Sequence, residues 1–166
     1  MIRWLKFDPE NGEWSVIYGE LILDNPVDSD YLMEFSPLTS FNGDLDLRAK
    51  TRWVGPVQRA IAGISFQKSG SVGYTFQISK AGKYTAKKWN GVDLFLESLF
   101  AYKESDAINK TGTNNLRVIT QGDLFKLYIN GVFIDEVQDN LFAQGRVGIY
   151  AFHGKVTFDN FEVRWS

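Results

Sequence analysis

Apolar and polar residues alternate along most of this chain with the two-residue period of a β-strand. The clearest example is the segment DLDLRAKTRW, in which Leu45, Leu47 and Trp53 share one face and Arg48 and Arg52 share the other. A strand with this pattern buries one face and leaves the other in contact with water. The pattern therefore predicts a half-buried antiparallel strand with a basic outer face.

Comparable segments follow one another at short intervals, with turn-forming residues between them. The Asn130-Gly131 pair stands between two apolar runs and predicts a tight hairpin, because both residues tolerate a positive φ. Only the segment from Val92 to Ser105 is ambiguous, between a short helix and an irregular strand with a loop. The other predicted strands are EWSVIYGELIL, AIAGISFQ, VGYTFQIS, KYTAKKW, LRVIT, LFKLYI, VFIDEV, RVGIYAF and KVTFDNFEVRW.

The last of these segments changes phase in its middle. Val156 and Phe158 precede the polar pair Asp159-Asn160, whereas Phe161 and Val163 follow it on the opposite parity. An extra residue in one strand restores the facing of the side chains that follow it. We therefore predict a β-bulge at this pair, with the apolar residues on both sides of it pointing into one core.

The length of 166 residues suits a single domain over residues 1–166, large enough to bury a substantial core. Many short strands without a linker or a repeat are typical of an antiparallel sandwich or barrel. The predicted fold class is therefore all-β, a two-sheet antiparallel β-sandwich.

Charge and composition exclude several classes of function. The net charge is −2 with the cations spread along the chain, which argues against nucleic acid and against a membrane surface as partners. The absence of Cys excludes disulfides and thiol chemistry. The first residues do not form a signal peptide, and no apolar run is long enough to cross a membrane. These features predict a cytoplasmic protein, with secretion left open.

The C-terminal half carries a family resemblance. The segments NNLRVITQGDLFKLYINGVFIDEVQD, GRVGIYAF and VTFDNFEV resemble the concanavalin A-like jelly-roll domains of bacteria, above all the 3-keto-disaccharide hydrolase-like family. The similarity extends over about residues 10 to 166, and its motifs are mostly turns and core positions. It implies two curved sheets, with carbohydrate usually bound on the concave one.

Catalytic residues are not identified by the sequence. Glycoside hydrolysis needs two carboxylates facing each other across the sugar, and the Glu-x-Asp-x-x-Glu string of laminarinase-type relatives is absent. Asp44 and Asp46 are followed by Arg48, a pattern more typical of solvated ion pairs. The single histidine, His153, stands in a predicted turn. The sequence thus leans against an enzyme without deciding the question.

A metal site is implied only by the resemblance. Relatives of this fold hold a structural calcium with an aspartate of the last strand and backbone carbonyls, to which Asp159 and the turn at Gly43 correspond. The alternative is that Asp159 accepts backbone N–H groups at the predicted bulge. No other cofactor is expected.

Carbohydrate binding has its own candidates on the polar faces of the strands. Sugar sites combine an aromatic platform with polar groups that hydrogen-bond hydroxyls. The candidates are Arg48, Arg52, Gln77, Lys87 and Trp89, and the alternative is an ordinary polar surface. The leading hypothesis is a non-catalytic, lectin-like module. The others are a hydrolase of the keto-disaccharide type and an interaction domain that forms a homo-oligomer.

Overall fold

The protein is an antiparallel β-sandwich of two sheets, seen in a computed structural model. The structure describes residues 3–5, 15–17, 20–24, 33–36, 40–69, 72–90, 96–140 and 144–165. Within these ranges every regular element is a strand, which confirms the all-β prediction. No helix that could span a membrane occurs among these residues.

Sheet A joins the two ends of the described chain to its middle. Its strand order is β14-β13-β12-β6-β16-β3-β2, and β1 also pairs with β16. Its strands are β1 (Arg3–Leu5), β2 (Ser15–Ile17), β3 (Glu20–Asp24), β6 (Leu45–Val54), β12 (Thr113–Gln121), β13 (Leu124–Ile129), β14 (Val132–Gln138) and β16 (Lys155–Trp165).

Sheet B is built around two consecutive hairpins. Its order is β10-β9-β8-β7-β15-β4, while β11 pairs with β9 and β5 pairs with β15. Its strands are β4 (Met33–Phe35), β5 (Ser40–Asn42), β7 (Ile61–Ser69), β8 (Val72–Ser79), β9 (Lys83–Asn90), β10 (Leu96–Ser98), β11 (Lys103–Glu104) and β15 (Gln144–Phe152).

The core lies between the two sheets and is formed by the inward apolar residue of each alternating pair. Leu47 and Val118 of sheet A, and Ile64, Phe76 and Ile149 of sheet B, are completely buried there. Burying such side chains stabilises the fold by roughly 1.5–3 kcal/mol each. The face of each sheet that is turned away from the other sheet is called its outer face below.

The predicted bulge and hairpin are both present. The register of β16 against β6 shifts between Asp159 and Glu162, and Asn160 has a φ of 49°. Phe158 and Phe161, on the two sides of the shift, are both buried. The turn at Asn130-Gly131 has positive φ at both residues, 52° and 79°, as a type I′ turn requires.

The ambiguous segment contains short strands. Of the range Val92 to Ser105, residues 92–95 lie outside the described part of the chain. The remainder forms β10 and β11, joined by a bend that includes Phe100. Phe100 packs edge-on against Tyr84, with ring centroids 5.9 Å apart.

Two carboxylates tie the β14 edge of sheet A to sheet B. Asp135 accepts hydrogen bonds from Tyr84 (3.2 Å) and from Lys103 (2.6 Å). Asp139, just after β14, accepts from Lys88 (3.1 Å) and from the Tyr74 hydroxyl. These contacts fix the neighbouring edges of the two sheets relative to each other.

Candidate functional site

The outer face of sheet B is polar and nevertheless buried. Alternation turns one residue in two of β7, β8, β9 and β15 away from the core, and most of these residues carry a hydroxyl or an amide. We call the following set the polar face: Ser65, Thr75, Gln77, Thr85, Lys87 and Tyr150. All are buried except Lys87, which is half-buried.

A hydrogen-bonded chain crosses this face. The Tyr150 hydroxyl of β15 donates to Gln77 Oε1 of β8 at 2.5 Å, and Gln77 Nε2 donates to the Tyr102 hydroxyl. To reach β8, the Tyr150 ring lies directly over Gly63 of the intervening strand. A Cβ at Gly63 would come within 2.5 Å of that ring, so only glycine leaves room for the crossing.

Tyr102 and Lys87 form the open rim of the polar face. The Lys87 Nζ lies 5.2 Å from the centre of the Tyr102 ring, a cation–π contact. Burial raises the pKa of Tyr102, against the opposing effect of the Gln77 hydrogen bond, so the hydroxyl keeps its proton. Because that hydroxyl oxygen accepts from Gln77, its own O–H is directed elsewhere. Tyr102 is 40% exposed. Lys87 is more buried, and this burial lowers its pKa.

Unpartnered polar atoms are concentrated in this part of the molecule. Among the described residues, four buried side-chain atoms lack a hydrogen-bond partner, and three belong to β7 and β8: Ser65 Oγ, Thr75 Oγ1 and Gln67 Oε1. A buried polar group without a partner costs about 1–3 kcal/mol. Ser65 and Thr75 are direct cross-strand neighbours, so two of the three lie side by side.

Gln67 owes its position to a bulge. The register between β7 and β8 shifts between Phe66 and Ser69, and Gln67 has a φ of 49° within the shift. A left-handed backbone costs a non-glycine residue about 1–2 kcal/mol. Bulges often reorient side chains next to functional sites. This strained residue with an unpartnered amide oxygen therefore marks the same end of sheet B as Ser65 and Thr75.

The structure divides the predicted sugar-binding residues between the two sheets. Gln77 and Lys87 lie together on the polar face. The backbone of Trp89 is in register with Gly73 and Leu96 on the next row of sheet B, but its side chain lies outside the described part of the chain. Arg48 and Arg52 lie on the outer face of sheet A, on the other side of the core.

Several residues of the polar face were missed by sequence reasoning. Tyr150 and Ser65 stand in predicted strands that are mostly apolar, where alternation alone gives neither residue a role. Tyr102 stood in the ambiguous segment. Gly63 was a detectable signal, because an isolated glycine within a strand often marks the close approach of another group.

The residues named for calcium do not meet. Asp159 pairs in register with Lys50, whereas Gly43 precedes the start of β6 at Leu45, and the five residue-to-residue steps from Leu45 to Lys50 span roughly 16 Å. Gly43 therefore cannot complete a site at Asp159. Asp159 Oδ1 instead accepts the N–H of Asn160 at 2.7 Å, the contact expected at a bulge. Among the described residues no three His, Cys, Asp or Glu side chains group together.

His153 stands in the turn between β15 and β16, with a φ of 56°. Its ring stacks on Phe152, with centroids 3.6 Å apart. It lies at the end of β15, at the rim of sheet B.

Comparison with solved structures identifies the fold. The carbohydrate-binding module CBM66 from Bacillus subtilis superposes with a TM-score of 0.74 at 17% identity, covering 91% of this chain and 90% of that one. Sheep galectin-11 superposes with a TM-score of 0.59 at 14% identity, over 85% and 98%. A glycosyl hydrolase homologue from Parabacteroides distasonis gives 0.67 at 12%, over 93% and 84%.

These similarities show a jelly-roll β-sandwich of the kind predicted, at identities too low to show more than the fold. No family model and no curated protein matches the sequence. Membership in the 3-keto-disaccharide hydrolase-like family therefore stays a prediction.

Proposed function

We propose that this protein is a lectin-like carbohydrate-binding module and that the polar face of sheet B is its binding site. The observation that carries the proposal is the set of buried oxygens on Ser65, Thr75 and Gln67 of β7 and β8 that have no hydrogen-bond partner among the described residues. Native proteins leave few buried polar atoms without a partner, and those that remain call for an explanation such as a ligand.

The chemistry of the face suits a polyol. A sugar hydroxyl both donates and accepts a hydrogen bond, and the unpartnered oxygens of Ser65 and Thr75 can do the same. Tyr102 adds a free O–H donor and an exposed aromatic ring, and aromatic rings are common platforms in such sites. Lys87 adds an ammonium group that forms no ion pair with any side chain in the described ranges.

The fold supports the same conclusion by analogy. A carbohydrate-binding module and galectins share this architecture. One fold can host many functions. The shared fold therefore makes carbohydrate binding a reasonable expectation, and the proposal itself is based on the side chains of the polar face. Because Tyr102 is the most exposed member of the group, we expect the sugar to enter beside it.

The test is a glycan-binding screen, with and without calcium, followed by calorimetry of the best ligand with Thr75→Val and Gln77→Leu. We expect each substitution to weaken binding at least about tenfold, equivalent to 1.4 kcal/mol. The matched control is Thr120→Val, which removes a buried hydroxyl from sheet A. A screen without a hit, or variants that bind like the unchanged protein, would overturn the proposal.

The remaining alternatives are tested with the same samples. Release of product from the bound glycan would show that the protein is a hydrolase and not a binding module. This alternative is suggested by the glycosyl hydrolase homologues that share the fold. A stable dimer in sedimentation, combined with a screen without hits, would favour an interaction domain.

A further inference from the structure

The outer face of sheet A carries a groove of about 490 Å³ that lies on the opposite side of the core from the polar face. Strands β6, β12, β13 and β16 form its floor. The side chains that matter for its chemistry are Arg48, Lys50, Asn115, Arg117, Tyr128 and Glu162.

Two arginines in the groove are held in a fixed orientation by one carboxylate. Arg117 donates through Nε and Nη2 to Asp46 at 2.9 and 2.8 Å, and Arg48 donates through the same two atoms at 3.3 and 3.0 Å. Each guanidinium has five N–H donors, and the Nη1 edge of each makes no hydrogen bond or ion pair with the described residues. The two side chains are 36% and 41% exposed, which leaves those edges accessible.

The charges of the groove favour an anion. Its lining contains three cations and the single carboxylate of Glu162, and Asp46 lies beside the two guanidinium groups, which leaves one net positive charge. Lys50 forms no ion pair with any residue in the described ranges. Asp159 is its register neighbour, but that carboxylate is engaged by the N–H of Asn160.

An aromatic pair lies beside the two arginines. Arg117 lies 5.5 Å from the centre of the Tyr128 ring, and Tyr128 contacts Phe133 edge-on, with centroids 5.6 Å apart. Phe133 is 50% exposed. The register aligns Phe133, Tyr128, Arg117 and Arg48 across four neighbouring strands, so rings and guanidinium groups form one continuous row.

We propose that this groove is a second binding site and that its ligand is an acidic sugar, a ring that carries a carboxylate. The free edges of Arg48 and Arg117, together with Lys50, receive the carboxylate, because planar guanidinium groups match its geometry. Glu162 and Asn115 accept or donate to ring hydroxyls, and the Tyr128–Phe133 pair borders the ring. That the ligand is a sugar rests on the proposed function, whereas the preference for an anion rests on the groove alone.

The experiment is a titration of the ¹⁵N-labelled protein with methyl β-glucuronide, observed at the Nε–Hε signals of the arginines. Methyl β-glucoside is the neutral control, and sodium sulfate is the control for an anion without a sugar. We expect the glucuronide to shift the Arg48 and Arg117 signals and to bind at least tenfold more tightly than either control. Arg117→Gln and Lys50→Gln should each weaken it severalfold, whereas Arg52→Gln, outside the groove, should change it less than twofold.

Equal affinity for glucuronide and glucoside, or for glucuronide and sulfate, would overturn the inference. So would shifts confined to sheet B. Lys50→Gln keeps the test valid if Arg117→Gln fails to fold, because Lys50 is exposed. Glycans bound at the polar face, with no effect of the glucuronide on the Arg48 and Arg117 signals, would refute this inference alone. Glucuronide in the groove without any glycan at the polar face would refute only the proposed function.

Discussion

Strands β6 and β8 have the same alternation in the sequence and opposite outer faces in the structure. In β6 every second residue is buried and the residues between them are exposed or half-buried. In β8 every residue after Val72 is buried. The difference lies in the polar residues: charged side chains such as Arg48 on β6, and uncharged ones such as Thr75 and Gln77 on β8.

The comparison shows that alternation assigns a face, while the kind of polar residue indicates whether that face can be covered. Removing an unpaired charge from water is far more costly than removing a hydroxyl or an amide. Sheet A therefore keeps its outer face open and neutralises charge with ion pairs. The outer face of sheet B carries uncharged polar side chains and can be buried, so its hydroxyl groups need hydrogen-bond partners other than water.

Among the variants that test this comparison, Gly63→Ala should lower the free energy of unfolding most. The new Cβ would lie within 2.5 Å of the Tyr150 ring, which would have to leave its place over β7 and lose the bond to Gln77. Overpacking of this kind typically costs about 1–3 kcal/mol. We expect the free energy of unfolding in urea to fall by about 2–3 kcal/mol.

The double variant with Tyr150→Ala provides the control. If the clash is the cause, the double variant should be less destabilised than the sum of the two single variants, a coupling that a thermodynamic cycle measures. Additive effects would show that Gly63 acts through something other than the ring.

Two buried threonines, one in each sheet, provide a second test of the difference between the sheets. Thr120 Oγ1 in sheet A accepts the N–H of Leu45 at 2.9 Å, whereas Thr75 Oγ1 in sheet B has no partner in the described ranges, and both residues are buried. Thr120→Val should therefore cost about 1–2 kcal/mol, while Thr75→Val should be neutral or stabilising. Equal losses in urea denaturation would show that Thr75 is satisfied within the protein.

The smallest effect should come from Asp46→Asn in sheet A. Burial alone would raise the pKa of Asp46, but the hydrogen bonds and charges of Arg117 and Arg48 outweigh it and hold the pKa below its ordinary value. The ionised form therefore stabilises the fold above the unfolded pKa, near 4, and this contribution is lost as the pH falls through the lower folded value.

We expect Asp46→Asn to cost about 1 kcal/mol at pH 7, because its arginine partners are partly exposed to water. The cost should disappear at the lowest pH at which the fold survives, and denaturation curves measured from pH 7 downward test this. A cost that does not change with pH would mean that packing, and not charge, explains the effect.

The fold could be predicted from the sequence because alternation and turn chemistry are local. The strand from Leu45 to Val54, the turn at Asn130-Gly131 and the bulge at Asp159-Asn160 all follow from neighbouring residues. The candidate site depends on distant contacts instead. Tyr150 and Gln77 are 73 residues apart, and no sequence pattern around either residue predicts their hydrogen bond.

The division of the predicted sugar-binding residues has the same origin. Arg48 and Gln77 both stand on polar faces, and parity alone cannot show that one belongs to sheet A and the other to sheet B. That assignment depends on the strand order, which local patterns leave undetermined.

The bulge in β16 has a consequence for the evolution of this fold. With one residue fewer at Asp159-Asn160, Phe161 and Val163 would share the parity of Phe158 in a regular strand, so a single-codon deletion there would remove the bulge and leave both side chains facing the core. A comparison of homologous sequences must therefore allow a gap at this point and nowhere else in the strand. An ungapped alignment with a relative that lacks the bulge would match groove residues to core residues.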